Sequence, residues 1–320
     1  MFVSLLSTIG YLSLLAALGF VVFRAPWAQR RLLPPFLFIV LKVLFPFYFV
    51  VRIPAGWDSA SALGWPVLLL LFVLCLAMMT VQGGLARLVT RIKAAAVSQP
   101  TSYVLLGAVH NAGFIPLPIL ERLAPQSILL GMFFYLLAFN VTFWALAVPI
   151  IQSGRLDLRR ISIRINPPLV GMAIGFVVAL TGVYRSVPDT VLSVAGRVGE
   201  LALDGALIAL GGALASIREK LVFDREHWLF AAWRMVLYPA AMLFIVALPW
   251  PGLDGSFGWG MRMLLVLQAT VPPATQTMVV TRAIGTAEQL RYTGSMILFT
   301  YLVSLATIPL FVGLSLAWFV

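Results

Sequence analysis

The stretch His110-Asn111-Ala112-Gly113-Phe114-Ile115-Pro116-Leu117-Pro118 lies inside an apolar run long enough to cross a bilayer. One glycine and two prolines within nine residues cannot leave such a helix regular, because each proline removes an N–H donor and crowds the preceding turn. In hydrocarbon the freed backbone groups need partners, so a broken helix is tolerated only inside protein or beside a watery cavity. About half a chain later a second stretch has the same character: Gln268-Ala269-Thr270-Val271-Pro272-Pro273-Ala274-Thr275-Gln276. Two interrupted spans at corresponding places in two halves are a pointer to a transporter binding site.

Composition agrees with a membrane setting. Of 320 residues, 62% are hydrophobic and 10% charged, against roughly 45–50% and ~25% in soluble domains. The apolar stretches are continuous and do not alternate, which argues for helices and against a β-barrel. Ten spans fit, near 2–23, 33–51, 65–83, 102–121, 127–151, 167–184, 197–217, 228–249, 259–281 and 293–318. The run from Met1 to Phe23 lacks a basic leader and reads as a retained first span. Cys75 reads as a small core residue.

The net charge of +11 would suggest nucleic acid in a soluble protein, but here it sorts by loop. The odd loops carry fifteen basic residues, among them Arg155, Arg159, Arg160, Arg164, Arg218 and Lys220, and the even loops four. That asymmetry places the odd loops in the cytoplasm and both termini outside. Loop 5, Gln152 to Asn166, divides the chain into 1–151 and 152–320. Each half has five spans, so the second must enter the membrane inverted, and the broken span is the fourth of each half. The expected fold is all-α: two inverted five-helix repeats whose broken helices 4 and 9 cross.

Candidate site residues follow from these breaks. A half-helix N-terminus carries partial positive charge and suits a carboxylate. Asn111 can donate to that carboxylate, with Gly113, Pro116, Pro118, Pro272 and Pro273 shaping the crossover. The competing reading is a pair of kinks used only for packing. Gln268, Thr270, Thr275 and Gln276 can satisfy freed carbonyls, or coordinate substrate or a cation. Lys42 lies within span 2, where an unpaired cation costs roughly 2.5–3.5 kcal/mol; a bound anion would offset that, and snorkelling to an interface is the alternative. His110 can titrate near neutral pH and couple proton movement. Asp204 in span 7 is a further candidate for ion coupling. Asn140 in span 5, with Trp144 one turn on, needs a partner on a neighbouring helix or on the substrate. Arg234 and Arg262 read as interfacial snorkelling residues. Leu210-Gly211-Gly212-Ala213 reads as a close-packing surface.

Hydrolytic and metal chemistry are missing from the sequence. It holds no HExxH, CxxC or GxSxG pattern, so no enzyme, metal or cofactor is expected. No intramembrane Asp-Asp pair or Arg ladder is present either.

At the quoted residues the chain resembles the auxin efflux carrier family of permeases, whose plant branch includes the PIN-FORMED auxin exporters. The shared pattern is Asn111, Gly113, Phe114 and Pro118 in span 4, then Asn166-Pro167 and Gly171 opening span 6. Leu210, Gly211 and Leu214 in span 7, and Pro272 with Arg282 in span 9, complete it. The resemblance implies ten helices with both ends outside. Spans 1, 2, 6 and 7 would form a scaffold, dimeric as a rule, and spans 3–5 and 8–10 a moving transport domain. It further implies small organic anions as substrates, malate- or malonate-like or auxin-like, with Asn111, Lys42 and Asn140 near the site. Pro116 departs from the glycine usual in the plant branch, and the long central loop of that branch is missing. A more distant resemblance joins this fold to sodium/proton antiporters and sodium-coupled bile acid carriers, which keeps cation coupling open. The expected protein is an organic anion carrier in a bacterial inner membrane, with a lipid bilayer and no nucleic acid as its surroundings. A sodium-coupled symporter, or a receptor or channel that moves no substrate by exchange, are the alternatives.

Overall fold

A computed structural model describes residues 2–61, 64–124, 126–153, 166–215, 223–249 and 255–319. Helix α1 (Phe2–Arg24) is followed by the short α2 (Pro26–Arg31), and then α3 (Leu33–Ile39) and α4 (Phe45–Ser61) run on as one rod. Next come α5 (Trp65–Ile92), the half-helices α6 (Pro100–Ala108) and α7 (Pro116–Leu123), and α8 (Gln126–Ser153). The second half holds α9 (Pro167–Thr181), α10 (Asp189–Ala215), a rod of α11 (Arg225–Ala231) and α12 (Tyr238–Ala247), the half-helices α13 (Gly255–Thr270) and α14 (Gln276–Ile284), and α15 (Ala287–Phe319).

Among the described residues seven helical stretches are long and apolar enough to cross a membrane, so this is an all-α, multi-pass membrane protein. The interrupted helices and the 15-residue α9 fall below that length. Several helices outrun their apolar windows: α10 starts at Asp189 and not at 197, α15 at Ala287 and not at 293, and α4 continues to Ser61. The backbone ladder continues past the apolar window into polar sequence, where Asp189 and Glu288 sit well in first turns. The basic residues Arg155, Arg159, Arg160, Arg164, Arg218 and Lys220 lie outside the described residues, as does most of loop 5.

Two prolines inside rods are handled alike. Pro46 is preceded by a π-helical turn at Val40–Leu44, and Pro239 by one at Ala232–Leu237. A proline cannot donate to the carbonyl four residues back and its ring crowds that carbonyl. A wide turn just before it relieves both conflicts.

Helices pack closely where side chains are smallest. Gly171 and Gly175 of α9 lie on the α4 backbone at Pro46 and Phe49, and Gly211 of α10 lies on the α1 backbone at Ala16 and Phe20. A methyl group at either face would collide with backbone and not with a movable side chain. α1 with α10, and α4 with α9 and α10, therefore form one tightly apposed group. The glycine-rich stretch of α10 does pack closely, as its composition suggests. Around this group and beyond it, α5 packs with α6 and α8, and α13 with α12 and α15.

Polar side chains fix helix ends. Asp224 caps α11: its Oδ1 accepts from the Glu226 and His227 N–H groups at 2.9 and 3.2 Å, and His227 Nδ1 lies 2.8 Å away. Partial burial pushes this carboxyl up, but the hydrogen bonds from His227 and Glu226 outweigh it and hold it below the ordinary range. Glu226 is buried, accepting from the Ser98 N–H and hydroxyl at 3.1 and 3.0 Å and from the Tyr292 hydroxyl. It ties α11 to the segment before α6 and to α15.

Two outcomes are expected. Gly171→Ala should lower the melting temperature in detergent by the equivalent of about 1–3 kcal/mol of overpacking, whereas Gly10→Ala, where a Cβ meets nothing within 4 Å, should not. Asp224→Asn should lose stability at neutral pH. Because the native carboxyl titrates below its unfolded value, its contribution is present above the ordinary carboxylate range and lost as pH falls through the native value. The wild-type and Asp224→Asn melting curves should therefore converge below about pH 4.

Candidate functional site

The two interrupted helices cross at their breaks. His110 pairs with Pro273 in an antiparallel bridge. The Asn111 N–H donates to the Pro272 carbonyl at 2.8 Å, and the Ala274 N–H to the Val109 carbonyl at 3.0 Å. Two lengths of extended chain thus satisfy one another in miniature, as strands do, where no helix can. Pro272 and Pro273 have no N–H to leave unpaired, and Pro116 sits at the start of α7, where the missing donor does no harm.

Side chains complete the accounting. The Asn111 Oδ1 accepts from the Phe114 N–H at 3.0 Å, and its Nδ2 donates to the Tyr301 hydroxyl of α15 at 2.6 Å. Thr275 faces the same hydroxyl. Gln268 Nε2 donates across the crossing to the Ala112 carbonyl at 3.2 Å and lies 3.1 Å from Met132 Sδ. The Thr270 hydroxyl turns back to the Val266 carbonyl at 2.6 Å, which is the carbonyl-satisfying role. His110 is fully buried, with Nε2 2.8 Å from the Tyr135 hydroxyl and its ring against Phe139. His110 Nδ1, Gln268 Oε1 and Gln276 Oε1 have no hydrogen-bond partner within the protein. Gly113 lies against Leu136, and Pro118 is buried within α7.

The carbonyl end of α13 has a partner that sequence reasoning misplaced. Arg234 is 0% exposed. Its Nη1 donates to the Ala269 carbonyl at 2.7 Å and its Nη2 to the Val271 carbonyl at 3.2 Å, with Cζ 5.6 Å from the Tyr238 ring centre. The snorkelling expectation for Arg234 is therefore corrected. A fully buried guanidinium that donates to two backbone carbonyls at the break is turned into the protein and not out to an interface. A legible signal existed: Arg234 precedes Pro239 much as Lys42 precedes Pro46, each on a π-turn. Arg262, half-buried, stacks on Phe319 at 4.9 Å.

Lys42 is not brought to the crossing. Its side chain is exposed on the helix surface, with Nζ 5.1 Å from the Phe38 ring centre, so the expectation that it binds substrate there gives way to the surface alternative. Asn140 hydrogen-bonds the Leu136 carbonyl at 2.9 Å and accepts from Asn166 at 3.3 Å, tying α8 to the start of α9. Asp204 accepts from the Tyr11 hydroxyl at 2.9 Å, in a different cluster at the far end of α7. There Arg122 stacks 4.1 Å over the Tyr11 ring, while Glu121 pairs with Arg52 and accepts from the Tyr48 hydroxyl at 2.7 Å. Arg52 also reaches Glu200 at 3.0 Å. This polar clasp joins α7 to α1, α4 and α10.

Chemically, the crossing is electropositive. Neither crossing segment contains an acidic residue, and no described carboxylate pairs with Arg234. The guanidinium covers the carbonyl end of α13, so among the described residues the α7 and α14 N-termini face the one carbonyl end without a cation, that of α6. Among the described residues no group of three or more His, Cys, Asp or Glu side chains could hold a metal.

Residues 156–312 match the family model described as membrane transport protein, a stretch that includes the second crossing segment. No curated protein matches the chain.

Tyr301→Phe should leave the Asn111 amide short of an acceptor in a buried site. A loss of about 1–3 kcal/mol in unfolding free energy is expected, measured by thermal denaturation in detergent.

Proposed function

We propose that this chain, whose residues 156–312 match the membrane transport protein family model and which resembles the auxin efflux carrier permeases, is a secondary carrier of small organic anions whose site is the crossing of its two broken helices. The observation that carries this reading is the crossing itself: two half-helix N-termini meet in a buried place that holds a cation, a histidine and no carboxylate. A carboxylate suits that field, and a free cation does not. Asn111 retains one amide hydrogen beyond its bond to Tyr301, and His110 Nδ1, Gln268 Oε1 and Gln276 Oε1 supply polar atoms able to orient hydroxyl or carboxyl groups of a malate-, malonate- or auxin-like acid.

Movement follows an elevator scheme in this reading. Counting each interrupted pair as one span gives ten, arranged as two inverted repeats. Helices α1, α4, α9 and α10, locked backbone to backbone by glycine, would be the scaffold and the dimer-forming part. The crossing and its neighbours α5, α8, α12 and α15 would move as a body. The contact between the two parts at α7 supports sliding, because Glu121 and Arg122 meet Arg52, Tyr48 and Tyr11 through polar side chains that can exchange partners with water. The charge distribution of the loops supports both termini outside, and the resemblance to the permease family supports a bacterial inner membrane.

The test is exchange. Purified protein in liposomes preloaded with unlabelled acid should take up one labelled acid from a panel of malate, malonate and indole-3-acetate, with saturation and counterflow. Asn111→Ala should reduce that exchange by about tenfold or more. Folded protein that exchanges none of them, or that shows unsaturable flux, overturns the carrier reading.

A further inference from the structure

Arg234 does something a packing residue has no need to do. It places a full charge, fully buried, on the carbonyl oxygens of Ala269 and Val271, at 2.7 and 3.2 Å. Those oxygens mark the end of a half-helix at an unwound break. Unwound carbonyls and half-helix C-terminal ends are the groups that coordinate a transported or coupling cation in carriers built from broken helices. A hard monovalent cation there would need oxygen ligands on several sides. Here two of those oxygens already receive N–H donors, and the neighbouring Thr270 hydroxyl is directed to the Val266 carbonyl.

No described side chain explains the guanidinium as one half of an ion pair. The groups around it are Tyr238, His110 and Tyr135, none of which is a carboxylate. Its Nε has no hydrogen-bond partner. A buried charge left without a counterion is expensive unless it is hydrogen-bonded into a field of opposite sign, and the negative end of α13 is such a field. The π-turn at Ala232–Leu237 carries the guanidinium on the rod, so the cation comes and goes with the chain and not with the solution.

We propose that Arg234 is a tethered cation, standing in the carbonyl-lined break of α13–α14 in place of a coupling sodium ion, so that the crossing is held closed without sodium. The inference rests on the carrier reading only for its bearing on coupling; the occupancy of the break by a built-in cation can be tested without substrate. It also decides between the two roles open to Thr270: a sodium ligand is not required of it.

The experiment measures melting temperatures of purified protein in detergent, titrated with sodium chloride, guanidinium chloride or choline chloride at low millimolar concentration. Wild type should respond equally to sodium and choline. Arg234→Ala should be destabilised, and guanidinium or sodium should restore part of the loss where choline restores none. If Arg234→Ala does not fold, Arg234→Gln, which keeps a donor but no charge, should show the same cation-selective recovery. In liposomes, wild-type exchange of any acid in the panel should be unaffected by replacing sodium with choline, and Arg234→Gln should lower it about ten- to hundredfold. A wild-type protein stabilised by sodium over choline, or exchange that requires sodium, overturns the tethered cation and leaves the carrier reading standing. So does a folded variant that recovers with neither guanidinium nor sodium, which assigns Arg234 to packing alone. Exchange of no acid by wild type overturns the carrier reading, while the melting series still decides the role of Arg234.

Discussion

Two hydrogen bonds between extended segments, Asn111 to Pro272 and Ala274 to Val109, allow both helix breaks to exist at once. Either break alone would leave backbone donors and acceptors stranded in a low-dielectric interior, at several kcal/mol for each group. Together they satisfy each other, and the rest of the neighbourhood handles what remains. Gln268 reaches from α13 to the α6–α7 break, and Arg234 reaches from the adjoining rod to the end of α13. Tyr301 holds the amide of Asn111. Each half of the crossing is braced by a side chain from outside its own break, so the crossing behaves as a single object.

The glycine contacts set the opposite mechanical limit. Where Gly171 and Gly175 lie on α4, and Gly211 on α1, backbones touch and neither partner can slide without collision. The contact at Glu121 and Arg122 is made of long polar side chains, with the Glu121–Arg52 pair largely buried. The molecule therefore contains one seam packed backbone to backbone and another joined by polar side chains.

Both breaks were legible in the sequence because prolines and glycine inside an apolar run admit few physical explanations, and the helices do stop at Ala108 and Thr270 and resume at Pro116 and Gln276. The partners of the breaks were less legible. Tyr301 and Tyr135 are aromatic residues within apolar helices, and nothing in their spacing separates a hydrogen-bonding tyrosine from a packed one. Arg234 was masked because a place near a span end suggests an interface, whereas burial against the carbonyls of a neighbouring break cannot be read from position along the chain. Lys42 misled for the converse reason: depth in a span says nothing about which side of the helix a residue faces, and its side chooses the outer surface. Asn140 found its partner in Asn166, a helix cap whose use could be read from the Asn-Pro pair but whose neighbour could not.

The wide turns ahead of Pro46 and Pro239 have a geometric consequence. An α-helix advances about 100° per residue, and a π-turn accommodates one residue more than an α-turn over the same rise. Each rod therefore carries a phase offset: the faces presented before and after the turn are related differently from those of an uninterrupted helix. Glu226 and His227 lie on the early side of the offset, bound to the segment before α6 and to α15, and Tyr238 lies on the late side. Arg234 lies within it. Removing the offset would rotate one set of contacts by about a quarter turn against the other. The rod thus works as a phase adapter, letting one stiff element meet two sets of neighbours whose spacings do not match a single helical period.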